Sequence, residues 1–118
     1  MGALQPATTT DTETLGLWAA IHKRLWDITQ ARSGLDTAIW AYQKAFLIKD
    51  DYYNGINHAY LLDVRAVGSP LAEGIADSIL AQRARRHVIE LCSQAVTAAT
   101  DPMAGIGFWR PWRRPILV

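Results

Sequence analysis

The sequence predicts an all-α fold in which four helices form two antiparallel hairpins. Apolar residues recur every three to four positions through most of residues 10–100, and turn signals fall near positions 30, 50 and 69. Alternating strand patterns are close to absent. The predicted turns are short, so consecutive helices run antiparallel. A chain of 118 residues forms one domain that buries about two thirds of its unfolded surface.

The first hairpin is predicted between residues 10 and 49. Thr10 and Glu13 have the spacing of a capping box, with Thr10 as the N-cap of the first helix. The predicted apolar face of this helix consists of Leu15, Trp18, Ile21, Leu25 and Ile28. The second helix starts near position 35, and its apolar stripe consists of Leu35, Ala38, Ile39, Tyr42 and Phe46.

The second hairpin follows from Asp51, a predicted N-cap. The apolar face of the third helix consists of Tyr53, Ile56, Tyr60 and Val64, with Asn57 inside it. The segment 68–70, Gly-Ser-Pro, ends that helix and starts the fourth, which runs to about Ala99.

A weak internal repeat accompanies these helices. Ala38, Tyr42 and Ala45 recur as Val88, Cys92 and Ala95, displaced by 50 residues. A small–aromatic–small trio on the second helix of a hairpin is typical of tetratricopeptide packing, which predicts a short tetratricopeptide-like solenoid. We therefore divide the chain into a flexible leader (1–9), a tetratricopeptide-like helical domain (10–100) and a Trp/Arg/Pro-rich tail (101–118).

Composition limits the function. The formal net charge of +1 argues against a nucleic-acid binder that works through bulk charge. A single cysteine, Cys92, favours a reducing, cytoplasmic location. The first residues lack the basic and apolar regions of a secretory signal, and no window is apolar enough for a transmembrane helix.

No catalytic or cofactor-binding pattern is visible. His22, His58 and His87 fall on three predicted helices without a second metal ligand four residues away. Cys92 lies on the predicted apolar face of the fourth helix, so we expect a buried thiol. A small enzyme that uses His58 or Cys92 would need a carboxylate partner, and the sequence indicates none. We expect no enzymatic activity, cofactor or metal.

The third helix carries the clearest binding candidate. Asn54 and Asn57 project to one face beside Tyr53, and the glycine between them removes a side chain. Two interpretations remain open. The amides form a polar notch for an extended or helical partner, or they satisfy turn carbonyls while Gly55 lets a neighbouring helix approach.

Further contact candidates extend this set. In a tetratricopeptide arrangement the first helices of the hairpins line the concave surface, so we expect exposed contact positions near Lys23, His58 and Tyr60. Arg83 and Arg86 belong to a basic cluster on the fourth helix that either binds an acidic partner or forms a solvated, ion-paired face.

The tail alternates tryptophan and arginine between prolines. Trp109, Arg110, Trp112 and Arg113 suit a membrane interface, which makes membrane-surface binding the rival function. The other interpretation is a tail that covers the open end of the helical stack. Two hairpins leave apolar surface at an end, so we expect either this cap or a homodimer.

Three segments together resemble the TRAFs-binding-domain family, a tetratricopeptide-like helical region of apoptosis signal-regulating kinases and of many bacterial proteins. They are residues 13–26, residues 35–46 and the string Asp-Tyr-Tyr-Asn-Gly-Ile-Asn at 51–57. The resemblance runs from about Glu13 to Ala98. It implies an α-solenoid that serves as a non-catalytic protein-interaction or regulatory scaffold for a protein or peptide segment.

Overall fold

The structure is a computed structural model that describes residues 8–100. Its four helices are α1 (Thr12–Thr29), α2 (Arg32–Lys49), α3 (Tyr52–Val67) and α4 (Leu71–Thr100). Each helix packs against the next along the chain. The predicted all-α fold of two stacked hairpins, arranged as a tetratricopeptide-like solenoid, is confirmed. Most of the predicted leader and the whole tail, 101–118, lie outside the described residues.

Helix ends follow local hydrogen bonding. Asp11 caps α1 by accepting from the Glu13 backbone N–H at 3.2 Å, so the predicted Thr10 cap is wrong by one position. Asp51 caps α3 as predicted, accepting from the Asn54 N–H. The Ser69 hydroxyl does not cap α4, because it donates to the carbonyl oxygen at the end of α3 at 2.7 Å.

The core centres on α2. The whole predicted stripe of this helix is buried, from Leu35 to Phe46, and Tyr42 is its largest fully buried side chain. The buried core also contains six alanines with no exposed area: Ala19, Ala38, Ala41, Ala45, Ala59 and Ala81. Such small residues let helix axes approach to the short end of the usual range of about 8–10 Å.

The apolar stripes predicted for α1 and α3 are mostly exposed. Of the predicted α1 stripe only Leu15 is buried, whereas Trp18, Ile21, Leu25 and Ile28 all keep exposed surface. On α3, Tyr53, Ile56 and Tyr60 are each about half exposed. The sequence analysis placed these side chains on apolar faces, and helical periodicity identifies such a face without showing that another element packs on it.

The two hairpins are related by a displacement of 40 residues. Asp11 and Asp51 are equivalent N-caps. Gly34 and Gly74 lie at equivalent crossings, where an added Cβ would meet the backbone of the preceding helix at 3.3 and 2.8 Å. The fully buried alanines at 19 and 59, and at 41 and 81, also match at this displacement.

The predicted displacement of 50 residues is therefore wrong. It paired Tyr42, which is buried, with Cys92, which is exposed. The true repeat was hard to find in the sequence because its shared residues are single aspartates, alanines and glycines with little individual signal. The 40-residue correspondence also identifies which surfaces of the two hairpins are equivalent.

Candidate functional site

A surface between α1 and α3 brings together several predicted contact residues. The Lys23 Nζ donates to Asn57 Oδ1 at 3.0 Å and lies 5.5 Å from the centroid of the Tyr60 ring. The Asn57 Nδ2 in turn donates to the Tyr53 carbonyl oxygen at 2.9 Å. Within residues 8–100, Lys23 makes no ion pair with a carboxylate. The structure therefore presents an ammonium group held by neutral partners only.

Exposed apolar side chains lie on the same helix as the Asn57 and Tyr60 partners of this ammonium group. Tyr53, Ile56 and Tyr60 lie on α3 at spacings of three and four residues, which puts them on one side of the helix. We call the group Lys23, Tyr53, Ile56, Asn57 and Tyr60 the α1–α3 surface. A cation beside aromatic and aliphatic groups can bind a chain segment that combines negative charge with apolar side chains.

The ring of Tyr53 packs against the buried ring of Tyr42. Their rings meet edge to face with centroids 6.2 Å apart. Burial, together with the nearby Tyr53 hydroxyl, raises the pKa of Tyr42 far above its ordinary value, so this phenol stays neutral. Tyr53 thus keeps one edge on the core and leaves the rest of its ring exposed.

Two predicted contact residues lie in the interior instead. Asn54 is 4% exposed and His58 is 7% exposed, so the expectation of exposed side chains at these positions is wrong. Asn54 Nδ2 donates to Asp51 Oδ1 at 2.8 Å, which ties the amide to the start of its own helix. The pair Asn54 and Asn57 therefore does not form one open notch.

His58 packs in the interface between the hairpins. Burial lowers its pKa, and the charge of Arg65 lowers it further, while a hydrogen bond to the Ile39 backbone and the charge of Asp77 act in the opposite direction. The net shift favours the neutral form of the ring. Its Nδ1, like the Asn54 Oδ1, is buried and has no hydrogen-bond partner among the described residues.

Gly55 serves helix packing. A Cβ at this position would lie 2.6 Å from Val88 Cγ2 and 2.7 Å from Phe46 Cε1. The structure thus favours the second interpretation of this segment, in which the missing side chain lets α2 and α4 approach α3.

A charged network that the sequence analysis missed joins three helices. Arg65 on α3 donates to both carboxylate oxygens of Asp77 on α4 and to Asp36 on α2. These hydrogen bonds raise the pKa of Arg65 and keep it charged. The three residues are far apart in sequence and have no motif spacing, so no sequence signal pointed to them.

Arg83 and Arg86 are exposed on α4. Neither forms an ion pair with another residue in the described part of the chain. Their neighbour Arg85 does, binding Asp63 on α3, and His87 binds Asp50 in the turn before α3. The basic cluster is thus partly a paired face and partly free charge.

Cys92 is exposed, so the predicted buried thiol is wrong. Across residues 8–100, no group of three or more His, Cys, Asp or Glu side chains is placed to hold a metal ion. In the same range, no helix has the length and apolar character needed to cross a membrane.

Comparison with known protein families identifies the family of this chain. The family model described as tetratricopeptide repeats-sensor matches residues 1–62, which include α1, α2 and most of α3. The chain belongs to the tetratricopeptide repeats-sensor family. Neither the curated proteins nor the solved structures gave a match.

Membership in this family supports the general features predicted from the sequence. Tetratricopeptide domains are protein-interaction scaffolds in general, and the matched region contains all five residues of the α1–α3 surface. The match is to tetratricopeptide repeats and does not single out the TRAFs-binding-domain family.

Proposed function

We propose that this chain is a non-catalytic interaction module that binds a protein or peptide segment through the α1–α3 surface. The observation that carries the proposal is the Lys23 ammonium group, which is held at 3.0 Å by a neutral amide and has no carboxylate partner among the described residues. Its position 5.5 Å from the Tyr60 ring, on the side of α3 where Tyr53 and Ile56 are also exposed, gives the surface one cation and a large apolar area.

The chemistry of this surface limits the partner. Interfaces gain most of their affinity from a few buried aromatic or cationic anchors. Here Tyr53, Ile56 and Tyr60 can be covered by apolar side chains, while Lys23 can exchange or share its amide contact with a carboxylate. The proposed partner is therefore a segment in which an acidic residue stands next to aliphatic or aromatic residues.

The remaining predicted contact residues have other roles in this proposal. Asn54 and His58 position α3 from the interior and do not touch the partner. Arg83 and Arg86 form a separate charged region that a longer acidic partner would reach on α4. We also propose that the chain is related to the TRAFs-binding-domain family, that it is cytoplasmic and that it has no enzymatic activity.

Selection of peptides from a random library on the immobilised full chain tests the proposal. The selected peptide is then measured by calorimetry against the wild-type chain and against Lys23→Ala and Tyr60→Ala. We expect acidic–apolar peptides and at least about a tenfold loss of affinity for each variant, the effect of losing an interface anchor. Ile89→Ala, an exposed apolar residue on α4, is the matched control and should bind normally.

Peptides that bind equally well to both variants would contradict the α1–α3 surface as the binding site. Enrichment of peptides without acidic residues would contradict the role given to Lys23. Circular dichroism of each variant shows whether the fold is kept, which we expect because all three side chains keep exposed surface.

The second candidate function is membrane-surface binding through the tail. Trp109, Arg110, Trp112 and Arg113 support it, because tryptophan and arginine favour the headgroup region of a bilayer. Partition of the full chain into anionic vesicles, compared with a version that ends at Asp101, tests this function. Equal partition of the two chains would exclude the tail as a membrane anchor.

A further inference from the structure

The contact between α2 and α3 shows how the first hairpin of this fold packs against the second. On its charged side, Asp36 of α2 accepts from Arg65 of α3 at 3.0 Å. On its apolar side, Ile39 packs in the core and its backbone binds the His58 ring. Leu61, one turn from His58 on α3, belongs to the same core cluster and is 1% exposed. These residues define a stacking interface that is fully formed inside the chain.

The 40-residue displacement locates two open counterparts of this interface. Residues of α4 correspond to those of α2, and residues of α1 correspond to those of α3. We call Ile75, Ala76, Ile79 and Gln82 of α4 the trailing face. The leading face is Glu13, Trp18, Ile21 and Leu25 of α1. All eight residues keep exposed surface in the described structure.

The charged pair of the internal interface has an apolar counterpart on both open faces. Ala76 occupies the position of Asp36, and Leu25 occupies the position of Arg65. A single change from charged to apolar would leave one charge facing a hydrocarbon group. Here both positions have changed together, so a contact between the two faces would leave no unpaired charge.

The neighbouring pairs are complementary as well. Ile79 corresponds to Ile39, and Trp18 corresponds to His58, which sets an isoleucine against an indole ring. Ile21 corresponds to the buried Leu61 and would be covered in the same way. Trp18, Ile21 and Ile79 retain 36, 54 and 50% of their surface in the described structure, so each has area left to bury.

The polar ends of the two faces also match. The internal pair Tyr42 and Tyr53 corresponds to Gln82 on the trailing face and Glu13 on the leading face. An amide can donate to a carboxylate, so this pair can form a hydrogen bond. Arg86, one turn beyond Gln82, has no ion-pair partner among residues 8–100 and carries the charge opposite to that of Glu13.

We infer that a second copy of this chain binds head to tail, with the trailing face of one copy on the leading face of the next. The contact continues the solenoid across the molecular boundary, with Ala76 against Leu25 and Ile79 against Trp18. This surface is distinct from the α1–α3 surface, so the inference goes beyond the proposed function. In a complex of two copies, one leading face and one trailing face stay free. Further copies can therefore add to form open chains or closed rings.

Charge substitution at the paired positions tests this assembly in the full chain. Light scattering after size exclusion gives the mass at increasing concentration for wild type, Leu25→Arg, Ala76→Asp and the double variant. We expect the wild-type mass to rise from that of one chain to twice that value or more. Each single variant should stay at one chain, because it would bury an unpaired charge.

The double variant is the decisive sample. It places arginine and aspartate at positions equivalent to Arg65 and Asp36, so self-association should return. An equimolar mixture of the two single variants should also associate, because the unmodified faces of one variant fit those of the other. Leu71→Arg is the matched control: Leu71 is 81% exposed and corresponds to Ala31, which stays exposed although its hairpin is stacked.

Three results would overturn the inference. A wild-type chain that stays monomeric at every soluble concentration shows that no second copy binds, as it would if residues 101–118 cover one of the faces. Association that survives Ala76→Asp but not Leu25→Arg indicates a symmetric contact between two leading faces. Failure of the double variant to associate, with its helical content intact, shows that positions 25 and 76 do not meet.

Discussion

Arg65 binds Asp77 through two parallel hydrogen bonds, from Nε to Oδ2 at 2.8 Å and from Nη2 to Oδ1 at 3.0 Å. The carboxylate is buried and the guanidinium is about three quarters buried, so the pair is largely shielded from water. A third hydrogen bond from Arg65 reaches Asp36 on α2. One side chain therefore connects the two hairpins and fixes α4 on α3.

Replacement of Asp77 by alanine should lower the free energy of unfolding by about 2–3 kcal/mol, because it leaves a shielded guanidinium with only one carboxylate. Urea unfolding followed by circular dichroism measures the change. Asp63→Ala removes a carboxylate from an exposed ion pair with Arg85 and should cost less than about 1 kcal/mol. Equal losses for the two variants would contradict the importance of the Arg65 network.

Two glycines should respond in opposite directions to alanine substitution. Gly55→Ala forces a Cβ into Val88 and Phe46 and should destabilise the fold by about 1–3 kcal/mol. Gly16→Ala adds a Cβ where no atom lies within 4 Å, and it should stabilise α1 by about 0.5–1 kcal/mol. Thermal melts of the two variants check this pair, and a stabilised Gly55→Ala would disprove the close approach at α3.

His58 should make stability depend on pH in a defined direction. Burial lowers its pKa in the folded chain, so the unfolded chain binds the proton more readily. Its contribution is fully present above the ordinary histidine pKa of about 6.5 and is lost as pH falls toward the lower pKa of the folded state. His58→Gln, which keeps a donor for Ile39, should remove this part of the pH dependence.

Unfolding in urea between neutral and mildly acidic pH provides the measurement for His58. The difference in free energy between wild type and His58→Gln should shrink, or change sign in favour of the variant, as pH falls. His22→Gln replaces a less buried histidine on α1 and serves as the control. A pH-independent difference for His58→Gln would show that the ring is free to take up a proton in the folded chain.

Cys92 should react with a thiol reagent in the folded chain nearly as fast as in urea, since its side chain is exposed on α4. A chromogenic disulfide reagent follows the reaction directly. Protection by a factor of ten or more in the native state would indicate that Cys92 is covered in solution.

The sequence predicted the α2 core correctly and the outer helices less well. In α2, the stripe from Leu35 to Phe46 has neighbours on both sides, so periodicity and burial coincide. In α1, the deepest contact includes Ala19, whose methyl group gives almost no pattern signal, while Trp18 and Ile21 give a strong signal and remain exposed. Periodicity identifies the apolar face of a helix, whereas the stacking of the hairpins determines which face another helix buries.

The candidate site shows the same limitation. Lys23 and Asn57 were predicted as separate contact positions. They are 34 residues apart in sequence, and their hydrogen bond connects α1 with α3. No spacing rule relates them. Asn54 and His58 were expected at the surface because the first helix of a tetratricopeptide hairpin lines the concave surface. Their burial became visible only when α3 was placed between α2 and α4.

The fully buried alanines of the core have a consequence for how this chain tolerates mutation. A buried alanine can lose only one methyl group, so truncation leaves almost no cavity, whereas any larger side chain must push two backbones apart. Deep mutational scanning should therefore find that, at positions such as Ala19, Ala41 and Ala81, substitution by glycine destabilises the fold mildly and substitution by valine destabilises it severely. Substitutions would then accumulate mainly on the outer faces of the protein, which include the surface that we propose for partner binding, so the partner can change without disturbance of the interior.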